Sequence, residues 1–157
     1  MNSFEVDLPD LERHVRFGQA IAALLRGGDI VALRGELAAG KTTLATAIGR
    51  TLGVDDMSSP TFGIIHEHVR TCGGRFLHVD AYRLAGGDEL IELGWDEWAG
   101  AADTIVCVEW AERVEPLLAD RPRLIVDLAH ASCGRTAVVH WEDEERFSSL
   151  AASGDTP

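Results

Sequence analysis

Apolar residues recur along this chain with two periods, and the switches between them mark out its elements. Phe4-Glu-Val-Asp-Leu8 alternates like a short strand. Pro9-Asp10 can start a helix whose apolar stripe runs Leu11, Val15, Ala22 and Leu25 before Gly27-Gly28 ends it. Ile30-Val-Ala-Leu33 is a continuous apolar run, as in a strand covered on both faces, and after a glycine-bounded loop Lys41 to Leu52 reads as a helix closed by Gly53. Ile64 to Val69 and Phe76 to Val79 flank Thr71-Cys-Gly-Gly74, which predicts two antiparallel strands about a turn. Asp88 to Leu93 and Asp96 to Ala101 predict short helices, Ile105-Val-Cys-Val108 a second buried strand and Ala111 to Leu118 a helix. Leu124 to Leu128 and Thr136 to Trp141 predict a closing pair of strands. The order implies an α/β sandwich around a mixed sheet with a parallel centre and antiparallel edge strands. It does not give the strand order.

The chain has 157 residues and a net charge of -12, which suits one acidic domain over residues 1–150 and argues against a free-standing nucleic-acid binder. With 46% apolar residues a core of this size needs no staples. The polar stretch 151–157 reads as a flexible tail. No window approaches the roughly 20 consecutive apolar residues of a membrane span, and Met1 to Asp10 lacks the pattern of an export signal, so the expectation is a cytoplasmic protein. Cys72, Cys107 and Cys133 are odd in number and widely spaced, and are read as reduced and mostly structural. Of 14 cationic residues 13 are arginine, and the one lysine is Lys41.

That lysine falls inside Gly35-Glu-Leu-Ala-Ala-Gly-Lys41-Thr42, which fits G-x-x-x-x-G-K-[ST] between an apolar strand and a helix, the context the motif requires. The sandwich is therefore expected to be a three-layer, P-loop NTPase-like one. Glycines permit tight turns, successive N–H groups then form an anion nest, and the helix N-terminus adds partial positive charge where phosphates sit. Lys41 is placed to bridge β- and γ-phosphates, and Thr42 offers a hydroxyl to Mg²⁺.

Such a site needs a carboxylate at the end of a neighbouring strand, and two have the same form: Phe76-Leu-His-Val-Asp80 and Ile105-Val-Cys-Val-Glu109. Asp is the commoner residue there, whereas Glu109 ends the more continuously buried strand. Either can serve Mg²⁺ through water while the other positions the attacking water. Ser58-Ser-Pro-Thr61-Phe62 follows the helix where a loop can fold over the γ-phosphate, with Thr61 as a nucleotide sensor; a plain turn fits the residues equally. His66 and His68 share one side of their strand and read as solvated rather than metal-binding. Trp95, Trp98, Trp110 and Trp141 read as core or interface anchors, and Glu142-Asp-Glu-Glu145 as a solvated helix start.

Gly35-Glu-Leu-Ala-Ala-Gly-Lys-Thr-Thr43, Ser59-Pro-Thr-Phe62, His78-Val-Asp-Ala-Tyr-Arg83 and Val108-Glu-Trp110, in this order, resemble the bacterial TsaE family (older name YjeE), from Leu8-Pro9-Asp10 to about Arg135. The resemblance implies a Mg²⁺-dependent ATPase of tRNA threonylcarbamoyladenosine biosynthesis that works with TsaB and TsaD, which carry the tRNA chemistry. It implies that Ala38, Ala39, Gly40, Lys41, Thr42 and Thr43 wrap the phosphates of ATP. Thr42 and Glu109 would serve Mg²⁺, and Asp80 and Thr61 would belong to the catalytic or switch layer. It also implies nucleotide contacts at Leu11 and at Gly134-Arg135. One departure stands out: the family usually has Gly at the position of Ala38, so a positive φ there would strain the loop.

Three readings compete. A guanine-specific GTPase is excluded, because its N-K-x-D motif needs a second lysine. A small P-loop kinase would want an arginine-rich lid, for which Arg121 and Arg123 are the candidates. A nucleotide-gated binding module with negligible turnover is the third. The isolated protein is expected to be a monomer.

Overall fold

The alternation at Ile30-Val-Ala-Leu33 decides the layering: Ile30 and Ala32 face one side of the sheet and Val31 and Leu33 the other, and each is at most 1% exposed. The fold is described from a computed structural model covering residues 1–57, 63–142 and 145–153. Its strands are β1 (Asn2–Leu8), β2 (Ile30–Gly35), β3 (Ile65–Val69), β4 (Arg75–Asp80), β5 (Thr104–Glu109), β6 (Arg123–His130) and β7 (Arg135–Trp141). They form one sheet in the order β1-β7-β6-β2-β5-β4-β3. The centre, β6-β2-β5-β4, is parallel, and β7, β1 and β3 pair antiparallel at the edges. The expected mixed α/β sandwich is what the chain adopts. Among the described residues no helix is long and apolar enough to cross a membrane.

Helices α1 (Leu11–Leu24) and α2 (Lys41–Thr51) cover the face that carries Val31, Leu33, Ile105, Cys107 and Val126. Asp10 caps α1, its Oδ1 accepting the Arg13 N–H at 2.8 Å, a bond worth about 1 kcal/mol at such a position. Ala22 and Leu25 are buried as expected, but the first half of the stripe differs: it runs His14, Phe17, Gly18 and Ile21, while Leu11 stands 69% exposed. The crossing with α2 explains the rotation. A Cβ on Gly18 would lie 2.6 Å from the Cβ of Ala47, so this face comes closest to the neighbouring helix.

The opposite face is covered by α3 (Gly87–Glu92), α4 (Trp95–Trp98), a 3₁₀ turn at Ala111–Val114 and α5 (Glu115–Leu118), which bury Leu90, Trp95, Trp98, Val114 and Leu118. The single helix expected over Ala111 to Leu118 is broken because Pro116 has no N–H to donate and cannot continue the turn before it. The helix expected to reach Ala101 stops at Trp98, where Ala99 is extended and Gly100 takes φ 84°. A last helix, α6 (Ser149–Ser153), follows a 3₁₀ turn at Glu145–Ser148 and returns Phe147 and Leu150 to the first face. Arg146 ties it down by donating to the Leu24 carbonyl and to Asp29. Residues 154–157 of the expected tail lie outside the described residues.

Candidate active site

Strand β2 delivers the chain into the turn 35–40 at the C-terminal edge of the sheet, and α2 starts directly after it. Two positions in the turn exclude a side chain. Gly35 has φ 137°, and a Cβ there would lie 2.2 Å from the Leu128 carbonyl oxygen; Gly40 has φ 104°, and its Cβ would lie 2.3 Å from the His14 ring. Ala38 takes φ 61°. A side chain in this left-handed region costs about 1–2 kcal/mol, so the strain foreseen for alanine at this position is present. Trp110 is the other non-glycine residue with positive φ among the described residues, at 56°. Both line one cleft, and strain of this kind persists where the surrounding structure over-determines it.

That cleft, of about 320 Å³, is lined by Ala38, Gly40, Lys41, Thr42, Glu109 and Trp110 among others. Lys41 Nζ donates to the carbonyls of Gly35 and Glu36 at 2.5 and 2.7 Å and sits 3.8 Å from the centroid of the Trp110 ring. Burial holds its ammonium below the usual lysine range, against the pull of Glu112, Glu109 and Asp80. Thr42 Oγ1 donates to Glu109 Oε1 at 2.6 Å, and His78 Nε2 donates to the other carboxylate oxygen at 2.5 Å. The hydroxyl and carboxylate are oxygen donors of the kind Mg²⁺ takes, with positions left over for phosphate oxygens and water.

The two candidate carboxylates differ in place. Glu109 ends β5, which pairs directly with β2 and brings Leu33 opposite Glu109. Asp80 lies one strand further out, opposite Glu109 across β4 and β5, and its Oδ1 accepts the Tyr82 N–H at 3.0 Å.

A second cleft of about 290 Å³ lies against the same loop. It shares Ala38, Gly40 and Thr43 with the first and adds Leu8, Asp10, Leu11, His14, Gly134 and Arg135. The Arg135 Nε donates to the Ala38 carbonyl at 3.1 Å. Burial pushes the His14 imidazole below its usual range, and because a carbonyl can only accept, the Nε2 that meets the Gly40 oxygen at 3.0 Å carries the proton. The side chain of Ala39 is fully buried in the core, so its contribution to the loop is its backbone.

Against this geometry, the model of the TsaE family, described as threonylcarbamoyl adenosine biosynthesis protein TsaE, matches residues 8–138. The chain belongs to the TsaE family. Similar proteins include a tRNA threonylcarbamoyladenosine biosynthesis protein TsaE from Streptomyces coelicolor, 44% identical over 142 residues that cover 88% of this chain and 89% of that protein. A protein of the same name from Aquifex aeolicus is 37% identical over 115 residues, 71% of this chain and 80% of the relative. The crystal structure of Bacillus subtilis YdiB matches with a TM-score of 0.72 at 25% identity, covering 97% of this chain and 93% of that one.

In this TsaE-family chain the structure gathers Lys41, Thr42, Glu109 and the loop 38–43 around one cleft and Leu11 and Arg135 around the adjoining one. Thr61 and the rest of the Ser59-Pro-Thr-Phe62 segment lie outside the described residues. Trp95, Trp98 and Trp141 are buried, and Trp110 is half-buried against the core of the second face while its ring also lies over the Lys41 ammonium. Two expectations need correcting. His66 is 8% exposed rather than solvated, with its ring nitrogen 3.1 Å from the Gly63 carbonyl. Arg121 and Arg123 are no lid: they stand at the N-terminal end of β6, Arg121 on the Ala99 carbonyl and Arg123 on that of Leu118. Sequence reasoning also missed His78 and His14. Each carried a signal, a histidine spaced with apolar residues on a face that must be buried, and such a group needs a partner.

Proposed function

We propose that this chain is a Mg²⁺-dependent ATPase that acts with TsaB and TsaD in threonylcarbamoyladenosine modification of tRNA, hydrolysis supporting repeated turnover of the complex. The observation that carries the reading is the Thr42–Glu109 contact at the end of the strand beside the P-loop, within one cleft with Lys41.

The loop's N–H groups and the α2 N-terminus would bind the phosphates. Lys41 has three donors, of which the Gly35 and Glu36 carbonyls take two, and the remaining one with its charge would meet the phosphate oxygens. Thr42 and Glu109 would hold Mg²⁺, which would supply positive charge to offset the charge that develops on the phosphates during hydrolysis. His78 orients the Glu109 carboxylate by its bond to Oε2, which leaves Oε1 turned to Thr42. Asp80 is the second carboxylate and would position the attacking water; Thr61 would read the γ-phosphate for the partners. Leu11 would pack against the base in the adjoining cleft. The acidic surface suits a protein that meets tRNA through partners rather than by itself. We read it as a cytoplasmic monomer.

Phosphate release from MgATP, measured alone and with TsaB and TsaD, tests the whole. Slow release that rises with both partners present is expected. Tight MgATP binding without release under either condition would favour a nucleotide-gated binding module.

A further inference from the structure

Five of the six carbonyls from Gly35 to Gly40 meet a side-chain donor. Lys41 takes the first two from inside the motif. The other three donors come from elsewhere in the fold: His130 Nε2 at the end of β6 lies 3.1 Å from the Leu37 oxygen, Arg135 Nε at the start of β7 donates to the Ala38 oxygen at 3.1 Å, and His14 Nε2 on α1 donates to the Gly40 oxygen at 3.0 Å. The peptide unit is planar and trans, so a carbonyl held to one side turns the next N–H to the other. The bonds at Leu37 and Gly40 therefore fix the N–H groups of Ala38 and Lys41. The bond at Ala38 restrains the residue that sits at φ 61° without the freedom of glycine.

We infer that His14 and Arg135, with His130, are positioning residues that hold the loop's carbonyls outward and so pre-organise its anion nest. The inference deepens the ATPase reading and rests on it. It adds to the expected nucleotide contact of Arg135 the holding of the backbone beside it. In this arrangement α1 serves the second cleft twice: Leu11 lines it, and His14, one turn along, lines it too and donates to the Gly40 carbonyl of the shared loop.

The two pairs of variants follow from bond counting. Glutamine places its amide nitrogen as many bonds from the Cα as His14 Nε2 and Arg135 Nε are, so it keeps the donor while removing the ring or the charge. The test is calorimetric titration with Mg²⁺-ATP and, separately, Mg²⁺-tripolyphosphate, of wild type, His14→Phe, His14→Gln, Arg135→Met and Arg135→Gln. His14→Phe and Arg135→Met should each weaken both ligands by the same factor, on the order of tenfold for one lost hydrogen bond to the loop. Both glutamine variants should stay within about threefold of wild type. Unchanged binding in His14→Phe and Arg135→Met would overturn the inference. So would a loss confined to ATP, which would make these residues base contacts, or glutamine variants as weak as the others, which would leave only packing or charge. Thermal melting identifies any variant that fails to fold, and the pair at the other residue then decides. Wild type that binds neither ligand would overturn the nucleotide reading and this inference with it, and is told apart by the wild-type titration alone.

Discussion

Two clefts meet at the same loop and were assembled in opposite ways. The one containing Lys41, Thr42 and Glu109 is built from a contiguous motif and the end of the strand paired beside it. The one containing Leu11, His14, Gly134 and Arg135 is built from the chain's first helix and its last hairpin, brought together because β6 pairs with β2 and β7 doubles back on β6. Phosphate chemistry needs a nest of N–H groups and fixed charges, which a short loop and one adjacent strand carry, while side chains from distant elements hold the loop's carbonyls. Recognition of the rest of a nucleotide needs a wall at a distance, which only tertiary folding supplies. The difference teaches that a contiguous motif is specified by local spacing, while the wall beside it is specified by the surrounding fold.

The comparison is broken most severely at Lys41. Lys41→Ala should reduce ATP turnover by about a hundredfold or more, since a charge at the developing phosphate is lost, while the melting temperature stays close to that of wild type; unaltered turnover would remove the phosphate role of the first cleft. A smaller and more selective effect is expected in the second. Leu11→Ala should weaken ATP binding by roughly fivefold through lost apolar contact and leave tripolyphosphate binding unaffected; equal losses for both ligands would merge the two clefts into one functional unit. The smallest effect belongs to the loop they share. Ala38→Gly relieves the left-handed strain but gives the unfolded chain more freedom, so differential scanning should show a rise of at most about 2–4 °C. A fall would mean that the alanine methyl contributes packing that outweighs its strain.

How much of this was legible in the sequence follows the same division. The Gly35 to Thr42 loop and the strand-end carboxylates depend on local spacing and can be read from the chain directly, whereas the strain at Ala38 is foreseen only through the resemblance, in which the family usually has Gly at that position. The continuous apolar run Ile30 to Leu33 showed a central strand covered on both faces. Strand order could not be read, because the return of β7 to pair with β1 is decided by packing between residues more than a hundred positions apart. In α1 Ala22 and Leu25 are core as expected, but at its start Leu11 is exposed and Val15 half-buried, although both look like core by hydropathy alone. His14 was passed over because a polar residue enters such a face only when it finds a partner, here the Gly40 carbonyl. Trp110 packs on the core as a core or interface anchor should, but nothing local says that its ring also lies over an ammonium.

The central claim is that Glu109 and Thr42 make the first cleft a Mg²⁺-dependent catalytic site. The measurement that tests it most directly is single-turnover phosphate release from ATP, with and without Mg²⁺, by wild type and Glu109→Ala. Release by wild type should require Mg²⁺, and Glu109→Ala should lose on the order of a hundredfold with nucleotide binding weakened far less. Equal Mg²⁺-supported release by the two proteins would contradict it.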